Sequence, residues 1–226
     1  MEIWLRISWG TCIFVNFGTS SSATGITIRK IDASGMISTI AGGGTAPITT
    51  DVAATSVALN VTSNALAVDS NGNLYFGYQD SSFGGRILKI DLSQTITRIA
   101  GGGTLATKAD GTPALSALLT EITTMAVDSA GTLYFGQGIL RTIDSKGLLG
   151  TVPISSQFDF PQNLIIDGSG DLIFAYNLNN AAGEIFLLDP TGDLTQIAGP
   201  PATFNSSGSS GDGGDALQAT FNEYPA

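Results

Sequence analysis

Short apolar runs rich in Ile, Val, Leu, Tyr, Phe and Thr alternate along this chain with clusters of Asp, Ser, Asn and Gly. Runs of that length and composition read as β-strands, and the polar clusters between them read as turns. One segment recurs: Ala67-Val-Asp-Ser-Asn-Gly-Asn-Leu-Tyr-Phe-Gly77 returns as Ala126-Val-Asp-Ser-Ala-Gly-Thr-Leu-Tyr-Phe-Gly136. Ile165-Ile-Asp-Gly-Ser-Gly-Asp-Leu-Ile-Phe-Ala175 is a looser copy, and Ile7-Ser-Trp-Gly-Thr-Cys-Ile-Phe-Val15 a degenerate one. In Asp69-Ser-Asn-Gly72 and Asp128-Ser-Ala-Gly131 the carboxylate can accept from the backbone two residues on, while Gly supplies the positive φ.

A second block follows each of these. Ile28-Arg-Lys-Ile-Asp32 through Thr39-Ile-Ala-Gly42 matches Ile87-Leu-Lys-Ile-Asp91 through Arg98-Ile-Ala-Gly101. Leu140-Arg-Thr-Ile-Asp144 and Ile185-Phe-Leu-Leu-Asp189 open the remaining copies. Each unit is therefore expected to be a meander of four strands, A to D, which in the second unit fall near 63–69, 73–78, 86–91 and 95–100. A single meander cannot bury both of its faces, and radial repetition solves that problem. The expected fold is all-β: a β-propeller of four-stranded antiparallel blades. About four blades are expected, near 2–41, 63–100, 122–152 and 162–198, forming one domain. Residues 199–226 read as a linker leading into a further blade.

The repeat resembles that of the bacterial NHL-repeat propellers. The resemblance lies in the blade cores above and in a linker, Asp110-Gly-Thr-Pro-Ala-Leu-Ser-Ala-Leu-Leu-Thr120, which returns as Asp212-Gly-Gly-Asp-Ala-Leu-Gln-Ala-Thr-Phe-Asn222. A worn copy is Asp51-Val-Ala-Ala-Thr-Ser-Val-Ala-Leu-Asn60. The family closes rings of about six blades. The resemblance thus implies that these four are part of a larger propeller, closure at four being the alternative.

Composition narrows the function. The chain has 226 residues, 42% of them hydrophobic and 12% charged, so it can bury a core. Its net charge of −10 and scattered basic residues argue against nucleic acid as a partner. Histidine is absent and Cys12 is the only cysteine. That removes the usual general base near neutral pH, any Ser-His-Asp arrangement, internal disulfides and cysteine-based zinc sites. No stretch is apolar enough to span a bilayer. Low Lys, abundant Ser, Thr, Asn and Gly, and the family resemblance point to export, to the extracellular space or cell envelope, with any signal lying outside this chain.

The meander also places its loops. The A–B and C–D turns are tight, whereas the B–C loops (16–25, 78–85, 177–183) and D–A connections (42–62, 101–121, 199–222) are long and are expected at one end of the blades. Binding residues are carried disproportionately on loops displayed by a rigid scaffold. The candidate partner-binding residues are therefore Tyr78, Gln79, Asp80, Arg86, Asn177, Asn179 and Asn180. The linkers' Ala and Leu residues are expected to pack as small caps on the blade ends.

Other motifs read as structure. Asp69-Ser-Asn71-Gly-Asn73 has alternating oxygen ligands, but its glycine is fourth and no Glu stands twelfth, so a calcium loop is not expected. Gly42-Gly-Gly44 and Gly101-Gly-Gly103 lack the Lys-Ser/Thr of a phosphate cradle and are expected to let the chain turn out of the outer strand. Asp32, Asp91, Asp144 and Asp189 share one turn register and Asp69, Asp128 and Asp167 another, which argues for structural roles. No catalytic residue, metal ligand or cofactor is expected. The reading is a non-catalytic module that recognises a protein or glycan. Its rival is a metal-dependent lyase or hydrolase using carboxylates in the central channel, which needs acids on the A strands.

Overall fold

The computed structural model describes residues 3–8, 11–16, 25–49, 51–59, 65–80, 84–106, 109–154, 161–176, 183–200 and 210–221. Four antiparallel sheets are arranged as blades of a β-propeller. Blade 1 holds β1 (Ile3–Ser8), β2 (Thr11–Asn16), β3 (Thr27–Ile31) and β4 (Ile37–Gly42). The first linker carries the two-residue β5 (Val52–Ala53) and a single-turn helix, η1 (Ala54–Ser56). Blade 2 holds β6 (Leu66–Val68), β7 (Leu74–Asp80), β8 (Gly84–Ile90) and β9 (Thr95–Gly101), and the second linker carries η2 (Ala114–Ser116). Blade 3 holds β10 (Met125–Val127), β11 (Leu133–Gln137), β12 (Ile139–Ile143) and β13 (Leu149–Thr151). Blade 4 holds β14 (Gln162–Ile166), β15 (Leu172–Tyr176), β16 (Glu184–Leu188) and β17 (Leu194–Ala198), followed by η3 (Ala216–Gln218). The innermost strands lie in chain order, β6 against both β1 and β10, and β10 against β14.

Among the described residues, the A–B turns of blades 2 to 4 and the C–D turns of all four blades use one device. The Oδ1 of Asp69 accepts from the N–H groups of Asn71 (3.0 Å) and Asn73 (2.8 Å), and Asp128 and Asp167 repeat this in blades 3 and 4. Asp32, Asp144 and Asp189 make the same pair of bonds at the C–D turns, and Asp91 accepts from the N–H groups of Ser93 and Thr95. The repeated acids are therefore turn-formers. Hydrogen bonds from the hydroxyls of Ser34, Ser93 and Thr191, and then from backbone N–H groups, hold Asp32, Asp91 and Asp189 below the ordinary carboxylate range.

Blade faces alternate as the pleat requires. Blade 2 turns Leu66, Leu74, Phe76, Leu88, Ile90 and Ile96 toward blade 1, where they meet Ile13, Val15, Ile28 and Ala41. Its other face offers Ala65, Ala67, Ile87 and Ala100 to Met125, Leu133, Phe135, Ile143 and Leu149 of blade 3. Each seam thus joins a face of small and β-branched residues to a face of Leu and Phe. Burying a side chain such as Phe76 contributes on the order of 2–3 kcal/mol.

The linkers follow a path that sequence reasoning did not foresee. The first runs along the outer edge of the next blade, where Val52 pairs with Ile96 and makes blade 2 five-stranded. It then returns to the seam, burying Ala54, Val57 and Leu59. The second does the same with Ala114, Ala117 and Leu119. The glycine runs make that return possible. A Cβ on Gly44 or Gly103 would lie 2.0 or 2.1 Å from the carbonyl oxygen of Ser56 or Ser116.

Candidate functional site

The expected B–C loop of blade 2 is largely strand. β7 continues through Asp80 and β8 begins at Gly84, so Tyr78, Gln79 and Asp80 pair with Arg86, Gly85 and Gly84. These candidates stand on a paired ladder rather than on a free loop, and glycine at 84 and 85 lets the linker backbone at Leu119 and Thr120 lie against β8. A Cβ on Gly85 would meet the Thr120 carbonyl oxygen at 1.8 Å. Tyr78 is half-buried and packs on the core between blades 1 and 2. Asn177, Asn179 and Asn180 lie outside the described residues.

Arg98, which sequence reasoning did not single out, joins this group. It stands opposite Leu88, and its Nη1 donates to the Gly101 carbonyl. The position of a Cβ on Gly102 lies 2.6 Å from Arg98 Nη1 and 2.9 Å from Arg86 Nε. Two of the chain's nine basic side chains therefore flank one glycine at the loop end of blade 2.

Register identifies the same three places in the other blades. Blade 4 has Tyr176 opposite Glu184, and Phe186 opposite Gln196. Gln196 Nε2 donates to the Gly199 carbonyl at 3.0 Å, as Arg98 does to Gly101, so this residue caps the carbonyl where the outer strand ends. It also reaches Glu184 Oε1 at 3.4 Å. Burial pushes the Glu184 carboxyl above its ordinary range. Blade 3 has Gln137, Ile139 and Thr151, and blade 1 has Asn16, Thr27 and Thr39. The arginine pair is peculiar to blade 2.

Blade 3 departs from the repeat elsewhere. Arg141 takes the place of Leu88 and is fully buried on the face toward blade 2. Its Nε donates to the Gly150 carbonyl at 3.1 Å. Burial lowers its pKa and the Asp110 charge opposes that shift, while Thr151 Oγ1 donates to Asp110 Oδ1 at 2.8 Å. Among the described residues, the terminal nitrogens of Arg141 and the Oε1 of Gln137 have no hydrogen-bond partner.

The inner ends of blades 3 and 4 are tied together by Thr123 Oγ1 to the Pro161 carbonyl (3.1 Å) and by Leu164 N–H to Thr124 Oγ1 (2.8 Å). Strands β6, β10 and β14 contain no Asp or Glu. Among the described residues no group of three or more Cys, Asp or Glu is placed to hold a metal ion, and no helix is long and apolar enough to cross a membrane.

No family model matches the chain, and no curated protein matches it. Solved propellers do. A protein of unknown function from Bacteroides thetaiotaomicron aligns with a TM-score of 0.60 at 13% identity, over 94% of this chain and 50% of its own. TolB from Acinetobacter baumannii aligns with a TM-score of 0.57 at 12% identity, over 83% of this chain and 40% of its own. A catalytically inactive virginiamycin B lyase from Staphylococcus aureus aligns with a TM-score of 0.50 at 17% identity, over 90% of this chain and 57% of its own. The likeness is one of fold, and the chain spans about half the length of these structures.

Proposed function

We propose that this chain is a non-catalytic binding module of the NHL-repeat kind, exported to the cell envelope or extracellular space, and that it recognises a protein or glycan partner at the loop end of its blades. The observation that carries this is the convergence of Arg86 and Arg98 on Gly102 beside Tyr78, in a chain of net charge −10. Two neighbouring guanidinium groups repel each other and favour an anionic group between or above them. An aromatic ring and Arg side chains are also the commonest anchors of binding surfaces. The partner group is therefore a carboxylate or sulfate borne on a glycan or a protein. The lyase or hydrolase reading needs acids on the inner strands, and their absence from β6, β10 and β14 favours the binding reading.

The test is an array of neutral and acidic glycans and peptides, probed with the wild-type chain and with Arg86→Ala. Retention of acidic members, weakened about tenfold or more by the substitution, supports the proposal. Indifference to charge on the array, or an unchanged Arg86→Ala, sinks it.

A further inference from the structure

The first and second linkers share one backbone and differ in what they expose. Ala46 bridges to Val57 in the first as Leu105 bridges to Ala117 in the second. The N–H of Ala58 donates to the Ala46 carbonyl at 2.9 Å, and that of Leu118 to the Leu105 carbonyl at 2.8 Å. The single-turn helices match as well, Ala54-Thr55-Ser56 with Ala114-Leu115-Ser116. Ala46, Thr55 and Ala58 therefore stand where the second linker has Leu105, Leu115 and Leu118, which are 46%, 48% and 41% exposed. The first linker shows that this backbone needs no leucine at any of the three places. Apolar residues scattered singly over a surface need no explanation. These three stand on hydrogen-bonded stretches of one linker.

They also adjoin the arginine pair. A Cβ on Gly84 would lie 3.5 Å from the Leu118 Cδ1, so Leu118 rests against β8. Arg86 stands two residues further along that strand, about 7 Å away. Between them the Gly85 N–H donates to the Leu119 carbonyl at 2.8 Å and ties the linker to the strand. Leu105 follows Gly102, on which Arg86 and Arg98 converge, by three residues.

Both departures fall in the same repeat. Blade 1 has Thr27 and Thr39 at the register positions of Arg86 and Arg98, and the linker that follows it has Ala, Thr and Ala. Blade 2 has the two arginines, and the linker that follows it has the three leucines. Charge and apolar surface thus arrive together at the loop end of one blade, in the middle of the chain. The combination limits what can sit there. A neutral or acidic sugar laid on the leucines would bury hydroxyls without partners. An anionic lipid surface repels a chain of net charge −10. An extended peptide presents alternate side chains on one face about 7 Å apart, the spacing from Gly84 to Arg86.

We propose that the partner at this site is an extended peptide segment of another protein, with a carboxylate side chain on Arg86 and Arg98 and an aliphatic side chain two residues away on Leu118. Leu105 and Leu115 extend the apolar contact. The placement rests on the anion-binding reading of the arginine pair given above, and it selects protein over glycan as the partner.

The test is fluorescence anisotropy of two labelled heptapeptides of equal charge, Gly-Leu-Ser-Glu-Ser-Leu-Gly and Gly-Ser-Ser-Glu-Ser-Ser-Gly, with an oligogalacturonate as the acidic glycan. Three proteins are compared: the wild-type chain, Arg86→Ala, and a triple variant carrying Leu105→Ala, Leu115→Thr and Leu118→Ala. The triple variant uses the residues that the first linker already places on this backbone, and circular dichroism checks that it is folded. Wild type binds the leucine peptide about tenfold or more tighter than the serine peptide. The triple variant loses that preference and keeps the weaker binding of the serine peptide, whereas Arg86→Ala weakens both. Equal binding of the two peptides by wild type, a preference that survives in the triple variant, or tighter binding of the oligogalacturonate than of the leucine peptide overturns the peptide assignment. If Arg86→Ala still weakens whichever acidic probe binds, the anion-binding reading outlives that failure. Binding indifferent to Arg86→Ala, or no binding of any probe, overturns both.

Discussion

The two seams on either side of blade 2 are built on one backbone plan and filled with different chemistry. Between blades 1 and 2 the register position at the outer edge is Leu88, buried with Ile90 and Ile96 in an apolar cluster. Between blades 2 and 3 it is Arg141, equally buried, with a guanidinium held by Gly150 and attracted by Asp110. What the seams share is the inner part: a Phe on the second strand (Phe76, Phe135), alanines facing it, and a linker alanine plugged between the blades (Ala54, Ala114). The shared part is the repeat's structural requirement. The outer position is where a blade can carry a charge without losing the fold, and where its identity can be read by a neighbour.

The largest effects should come from the shared part. Phe76→Ala and Phe135→Ala each remove a fully buried ring and should cost about 3–5 kcal/mol, because neither seam can collapse around a rigid sheet. Urea denaturation of both variants checks this, and a loss under 1 kcal/mol in either would show that seam to be loosely packed. The outer position should respond in the opposite sense. Arg141→Leu turns the second seam into a copy of the first and should stabilise the fold by about 1–4 kcal/mol, since a buried guanidinium whose terminal nitrogens lack hydrogen-bond partners does not repay its desolvation. A large loss of stability on this change would mean that the Arg141 and Asp110 pair organises the seam.

Acid should act on both seams alike. Asp32, Asp91 and Asp189 have folded-state pKa values depressed below 3.8 by the turn hydrogen bonds. Their contribution is therefore present above about pH 4 and is lost as pH falls through the folded-state values. Arg141 remains charged throughout that range. Wild type and Arg141→Leu should then both lose melting temperature between about pH 5 and pH 2.5, and a protein that kept its melting temperature through that range would show that these turns do not carry the acid sensitivity.

How much of this was legible in the sequence follows from the range of the interactions. The Asp–Gly turns were, because each closes within a few residues and recurs. The blade count was, for the same reason. Val52 pairing with Ile96 was not, because nothing local in either residue names the other. Tyr78 through Asp80 read as loop because their polarity suits one, yet the β7–β8 ladder runs on to Asp80 and Gly84. Arg98 and Gln196 stood in plain view before Ile-Ala-Gly, and aligning the repeats by register would have marked them as a variable pair. The burial of Arg141 was not legible, because it depends on which face of the strand meets the next blade.

The smallest expected effect tests the same two seams at their turns. Ala54 N–H donates to the Gln94 carbonyl at 2.7 Å in the first, and Ala114 N–H donates to the Gly147 carbonyl at 2.9 Å in the second. Both acceptors have positive φ, 61° at Gln94 and 76° at Gly147. The left-handed conformation costs a residue with a Cβ about 1–2 kcal/mol, and glycine loses about 0.5–1 kcal/mol more chain entropy on folding. Gln94→Gly should therefore stabilise by roughly 0.5–1 kcal/mol, and Gly147→Gln should destabilise by a similar amount. If both substitutions were neutral, the linker bond to that carbonyl, not the φ of the residue, would be holding the turn. Removing the linker's hold with Ala54→Pro, which deletes the donor in the first seam alone, would then separate the two contributions.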